Sequence, residues 1–239
     1  MRRVLLIALL ALWPASAPAG CRLALVLALD VSGSVDPVEY RQQLHGIAGA
    51  LENDAVMGAL LADPARPVAL SVFEWSSGRF QRRLLPWSLL DDRRAIGLAA
   101  GRLRAFTRHP APQMTGIGGA LLAGQSALES GPVCDRRVID LSGDGKNNDW
   151  PPPERIRDSG ALIGTVVNGL VILPDRSGAD PEGLAAYFRA RILYGPGAFL
   201  ETARGFSDYA RAMTRKLLRE TEAPRIGALP PGNERLAAR

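Results

Sequence analysis

Leu23-Ala24-Leu25-Val26-Leu27-Ala28-Leu29-Asp30-Val31-Ser32-Gly33-Ser34 is the stretch that decides the fold. Its first seven residues are all apolar, without the alternation of a half-exposed strand. Such a run suits a strand buried on both faces, as in a parallel sheet. The run stops at Asp30. Ser32 and Ser34 then lie two residues apart in the following loop, where both hydroxyls can turn toward one point. In an open α/β sheet this is the end at which ligands bind.

Outward from that strand, Pro37 opens a helical pattern in which Tyr40, Leu44, Ile47 and Leu51 recur at helical spacing. Val68 to Trp75 reads as a second strand, and the Arg-rich Phe80 to Leu85 as a weaker strand at an edge. Arg93 to Phe106 and Gly116 to Leu128 read as helices, Val138 to Ser142 as a short buried strand, and Glu154 to Ile163 as a helix. Thr165 to Leu173 is a strongly apolar strand, Pro181 to Arg191 a helix, and Gly195-Pro196-Gly197 a turn before Ala198 to Leu200. Phe206 to Glu220 is the final helix. Strands alternate with helices, so the fold class is α/β. A doubly wound, mostly parallel central sheet with helices on both faces is expected.

The ends read differently. Arg2 and Arg3, the short apolar run Val4 to Trp13 and Ala17-Pro18-Ala19 form a secretory signal peptide over residues 1–19. Export to the periplasm or outside the cell follows, with one domain over 20–221. A lipid anchor on Cys21 is the alternative, although Pro18 stands where a lipoprotein signal takes an aliphatic residue. Residues 222–239, rich in Pro, Gly, Arg and Ala, read as a disordered tail. The formal net charge of +5 falls to +3 without Arg2 and Arg3. The basic residues are dispersed, which argues against a nucleic-acid partner. No segment of the mature chain has the length and apolarity of a transmembrane span.

Asp144 follows the strand Val138 to Ser142 as Asp30 follows the first, and Thr115 precedes the helix beginning near Gly116. Asp30, Ser32, Ser34, Thr115 and Asp144 offer oxygen donors only, the ligands of a hard cation. Direct binding by the hydroxyls, with the carboxylates acting partly through water, would leave such an ion electrophilic enough to accept a partner's carboxylate. Cys21 and Cys134 have no histidine at zinc-ligand spacing. The complete fingerprints of a phosphate loop, a dinucleotide fold, a nucleophile elbow and an EF-hand are all missing. Asp140 reads as a buried, hydrogen-bonded carboxylate or one that supports the site from behind its ligands, and Trp75 and Trp87 as core or edge packing.

Taken in order, Asp30-x-Ser32-x-Ser34, the distant Thr115 and the distant Asp144 resemble the metal-ion-dependent adhesion site of von Willebrand factor A-type domains. The likeness covers roughly residues 22 to 220. The loop Asp144-Gly145-Lys146-Asn147-Asn148 and the turn Gly195 to Phe199 are also similar to a family of exported bacterial proteins of this fold. The resemblance implies a bound Mg2+, with Mn2+ or Ca2+ as alternatives, and a non-enzymatic binding module for a protein partner presenting an Asp or Glu carboxylate. The alternative is a metal-assisted hydrolase using the same ion. Lys146, Asn147, Asn148 and Trp150 are candidates for partner contact on the same rim. Because the family fold places its first and fourth main strands side by side, Cys21, nine positions before Asp30, and Cys134, ten before Asp144, are expected to pair as a disulfide. N-terminal sequencing of the exported protein should give a start at Gly20, and a lipid-modified Cys21 would refute that cleavage.

Overall fold

A computed structural model of the chain describes residues 20–173 and 180–222. The signal peptide expected over 1–19 and, apart from Glu222, the tail expected over 222–239 lie outside the described residues. The elements are β1 (Cys21–Asp30), α1 (Pro37–Leu51), α2 (Asp54–Leu60), β2 (Val68–Trp75), β3 (Gln81–Leu90), α3 (Arg93–Arg104) and α4 (Ile117–Glu129). They continue with β4 (Cys134–Gly143), α5 (Pro153–Asp158), β5 (Val166–Leu173), α6 (Pro181–Arg191), β6 (Leu200–Arg204), a 3-10 turn (Phe206–Asp208) and α7 (Tyr209–Thr221). They form one six-stranded sheet in the order β3-β2-β1-β4-β5-β6. All neighbours are parallel except β2 and β3. The doubly wound α/β architecture expected from the alternation is therefore present.

The two faces of β1 explain how the helices divide. Leu23, Leu25, Leu27 and Leu29 point to one side and pack with Tyr40, Leu44 and Ile47 of α1, Ile96 of α3, and Met213 and Leu217 of α7. Ala24, Val26 and Ala28 point to the other and pack with Ile117, Ala120 and Leu121 of α4 and Phe188 of α6. Leucines fill the gap to larger side chains, while the small residues let the glycine-rich α4 lie close. Burial of one such leucine contributes roughly 1.5–3 kcal/mol. α1 starts at a complete capping box: Asp36 accepts from the amides of Val38 and Glu39, and Glu39 accepts from the amide of Asp36.

Several boundaries differ from the sequence reading, each for a local reason. α2 was not expected, because a seven-residue helix has too few turns for a clear period; Asn53 caps it through the amides of Ala55 and Val56. β3 runs on to Leu90 through Pro86, a residue tolerated because the strand is at the sheet edge. β4 begins at Cys134, with Asp135, Arg136 and Arg137 hiding its start from a hydrophobicity pattern. The helix expected to reach Ile163 ends at Asp158, and Gly160 turns the chain with φ of 82°. The extended stretch after the Gly195 turn is Leu200–Arg204 rather than Ala198 to Leu200, and the last helix opens with a 3-10 turn.

Cys21 and Cys134 are bonded as expected, with their α-carbons 4.6 Å apart on paired residues of β1 and β4. The bond closes 113 residues of chain, and loop entropy alone assigns such a closure on the order of 4–5 kcal/mol. Among the described residues no helix is long and apolar enough to cross a membrane.

α7 is held to the sheet by buried polar contacts. The Tyr209 and Ser142 hydroxyls are 3.1 Å apart. Lys216, wholly buried, lies 3.3 Å from Asp140 and 3.4 Å from Glu220, and Asn168 donates to Glu220 at 2.7 Å. Two acids and one ammonium thus share a sealed space. Burial, assisted by Glu220 and opposed by Lys216, pushes the Asp140 carboxyl up to about 7. The folded protein then keeps a proton on Asp140 that the unfolded chain has released above pH ~4. Its contribution to stability is present at low pH and is lost as pH rises from about 4 to about 7. Asp140→Asn should remove this share, so urea unfolding across that range should show a shallower fall in stability for the variant. An identical slope in both proteins would contradict the retained proton.

Candidate metal centre

β1 and β4 lie side by side at the centre of the sheet, and the chain winds outward from them in opposite directions. This is the switch point, where diverging loops leave a crevice. Asp30 ends β1 and is fully buried; Asp144 stands one residue past the end of β4. Asp30 Oδ1 accepts from the amide of Ser32 at 2.8 Å. The Ser32 and Ser34 hydroxyls are 3.3 Å apart, Ser34 donates to Asp144 Oδ1 at 2.7 Å, and Thr115 Oγ1 donates to Ser32 Oγ at 3.4 Å. All five residues singled out from the sequence therefore meet at one place, although Thr115 is 83 residues and Asp144 is 110 residues from their partners.

Burial, reinforced by the charge of Asp144, pushes the Asp30 carboxyl up to about 7. Its Oδ2 is buried without a well-formed hydrogen bond. A buried carboxylate oxygen left so is costly, and a cation between the two aspartates would offset both the desolvation and the repulsion. Among the described residues no three His, Cys, Asp or Glu side chains cluster for a metal. The donors gathered here, two carboxylates and three hydroxyls, fit a hard divalent ion that keeps part of its water.

The loops that carry these donors are tied to one another. Gln43 Nε2 donates to the Asp30 carbonyl at 3.0 Å, and the Val31 amide donates to the Trp75 carbonyl at 2.8 Å. The Gly33 amide donates to the Gln113 carbonyl at 3.1 Å, and Arg108 Nη2 donates to the Val31 carbonyl at 3.3 Å. Asn148 makes a two-way clasp with Thr115: its amide donates to the Thr115 carbonyl at 3.0 Å, and its Oδ1 accepts from the Thr115 amide at 2.7 Å. Asn147 Oδ1 accepts from the Ile117 amide at 2.8 Å and so caps α4, whose N-cap Gly116 has no side chain to do it. Asn147 and Asn148, expected on the rim as partner contacts, thus have structural roles in these bonds. Lys146 and Trp150 are exposed, Trp150 at 65%, with the Arg155 guanidinium 5.0 Å above its ring. Trp75 is fully buried, and Trp87 on β3 donates to the Ala127 carbonyl of α4, so both pack as expected.

Gln43, Arg108 and Gln113 escaped the sequence reading. The side chains of Gln43 and Arg108 donate to distant carbonyls and Gln113 accepts through its own carbonyl, and nothing in the residue pattern marks any of these bonds. The face opens into a cleft of about 580 Å3, walled among others by Ser34, Glu39, Thr115, Asp144, Lys146 and Phe206.

The family described as "Protein of unknown function (DUF1194)" matches residues 20–225. No curated protein matches the chain significantly in sequence. Solved structures do match in fold. Proximal thread matrix protein 1 from the mussel byssus, in a form with a zinc-occupied MIDAS motif, superposes with a TM-score of 0.61 at 14% identity, over 84% of this chain and 48% of that one. The pilus adhesin SpaC from Lactobacillus rhamnosus GG gives 0.59 at 12% identity, over 84% and 30%. A von Willebrand factor type A protein from Catenulispora acidiphila gives 0.58 at 14%, over 84% and 43%. The chain spans less than half the length of each. Identities this low speak to fold, and the fold is that of the von Willebrand factor A-type domain.

The close approach of α4 to the Ser77–Gly78 loop makes one glycine critical. A β-carbon on Gly119 would lie 2.3 Å from the Gly78 carbonyl oxygen, a backbone atom that cannot swing away. Gly119→Ala should therefore lower stability by about 1–3 kcal/mol, despite alanine's better helix propensity. A thermal midpoint equal to or above that of the parent would show that the loop yields.

Proposed function

The chain belongs to the family described as "Protein of unknown function (DUF1194)", a description that carries no activity, and from the site itself we propose that it is an exported, metal-dependent binding module that captures an acidic group of a protein partner. The observation that carries this reading is the meeting of Asp30, Ser32, Ser34, Thr115 and Asp144 at the switch point, with Asp30 Oδ2 buried and unsatisfied. Mg2+ is the ion that suits these donors, with Mn2+ or Ca2+ as alternatives. When bound it supplies a Lewis-acidic site for a carboxylate. Ser32, Ser34 and Thr115 would hold the ion through their hydroxyls, and Asp30 and Asp144 would balance its charge.

The adjoining cleft leaves room for the residues that carry the captured carboxylate, and Lys146 on its wall adds a cation. The Cys21–Cys134 bond suits an oxidising compartment, in keeping with a periplasmic or secreted protein. The presence of an adhesin and a byssus matrix protein among the fold neighbours accords with a binding role. A metal-assisted hydrolase would need a general base beside the ion. The hydroxyls at the site bond to one another and to Asp144, and among the described residues walling the cleft there is no histidine.

Calorimetric titration with Mg2+ and Mn2+ tests the centre. Wild type should bind one ion and gain thermal stability that EDTA reverses, about 2.7 kcal/mol at a hundredfold excess over Kd. Asp144→Ala should lose the binding while keeping its circular dichroism spectrum. Unchanged ion affinity in that variant would overturn the assignment.

A further inference from the structure

The segment between α3 and Thr115 contains Phe106-Thr107-Arg108-His109-Pro110-Ala111-Pro112-Gln113. Its two prolines restrict its backbone. With Pro37 and Arg41 of α1 it walls a second cleft, of about 620 Å3. Gln113 lines both this cleft and the one beside the metal centre, so the two open on either side of a single wall. That wall also carries the bond from the Gly33 amide to the Gln113 carbonyl.

The two clefts differ in charge. The first has Glu39 and Asp144 beside Lys146. The second has Arg41, Arg108 and His109 and, among the described residues, no acidic one on its walls. None of these three side chains takes part in an ion pair among the described residues. The neighbouring Arg82 is different, since Glu74 lies 2.6 Å away and balances it. Arg108 is half-buried; its Nη2 reaches the Val31 carbonyl, and its Nε is buried without a partner. Phe106, Pro37 and Pro110 supply an apolar lining, against which a guanidinium–carboxylate pair is screened less than in open water.

We propose that this basic cleft is a second subsite of the binding face, which takes a second carboxylate from an acidic partner segment whose first carboxylate is held at the ion. The inference rests on the metal-dependent reading above and names the partner chemistry more narrowly: a segment with two acidic residues close in sequence. Arg41 and Arg108 supply forked donors that match a carboxylate, and His109 adds a donor at the rim. The ion provides capture, and the basic cleft selects among carboxylates, which are common on any protein surface.

The test uses blocked, fluorescently labelled peptides in a Gly/Ala background, with one Asp or with two Asp separated by one to four residues. Affinities are read by anisotropy in excess Mn2+ and again in EDTA. For wild type at least one two-Asp spacing should bind about tenfold tighter than the one-Asp peptide. That ratio should shrink as ionic strength rises. In the double variant Arg41→Glu, His109→Glu the ratio should fall to one or below, while Arg189→Glu on the distant α6 should preserve it. Circular dichroism shows whether the variants are folded, and should the double variant fail to fold, Arg41→Glu alone serves with the same expected direction. A wild-type ratio of one at every spacing, or a gain that survives in the Arg41 variant, overturns the second subsite. Tight two-Asp binding that ignores EDTA but is lost with Arg41 supports the cleft and overturns metal capture. Absence of peptide binding in any condition overturns both.

Discussion

The parallel pairing of β1 with β4 is the contact on which the rest of this structure depends. It brings residues 113 positions apart into register, from Cys21 against Cys134 to Leu29 against Ser142. Because neither strand is at an edge, the chain can leave each only outward, to β2 and β3 on one side and to β5 and β6 on the other. The divergence opens the crevice that holds Asp30 and Asp144. One interface therefore sets both ends of the molecule: a covalent bond at one pole and converging oxygen donors at the other.

Much of this could be read from the sequence, because the features concerned are local in origin. A seven-residue apolar run is short for a helix and suits a doubly covered strand, and Asp-x-Ser-x-Ser at its end is compact enough to recognise. Thr115 and Asp144 were legible because each sits beside a predicted element boundary. Less could be read where charge masks the pattern. Arg136 and Arg137 concealed the start of β4, yet Arg136 is anchored there by donating to the Glu220 carbonyl. Lys216 gave no sign of being buried, since its partners come from β4 as well as from α7 itself. The supporting roles were least visible: Gln43, Arg108 and, as a helix cap, Asn147 act on main-chain groups far away in sequence, and main-chain groups have no letter in the code.

Small residues on one side of β1 have their counterpart in α4. Ala24 and Ala28 bring the helix close, and its glycines let neighbouring backbone touch it: Gly118 meets the Pro151 carbonyl, and Gly119 the Gly78 loop. The loop after β4 and the loop after β2 are thereby both docked on the first turn of the helix that follows Thr115. The position of Thr115 thus follows from packing on the small face of the sheet together with the Asn148 clasp on its main chain.

The disulfide has a mechanical meaning as well. A pull on the start of the described chain enters at Cys21, where the bond passes part of it to Cys134 at the foot of β4 while the rest continues into β1. From there β4 runs straight to Gly143, next to Asp144. Tension between the leading end of the domain and something gripped at the opposite pole would be shared by β1 and β4, which run parallel to that pole, and would load the flanking ladders in shear, with many hydrogen bonds sharing the force. The helices stand beside that line rather than in it. A domain so strung can hold on under traction without first unravelling from its leading strand.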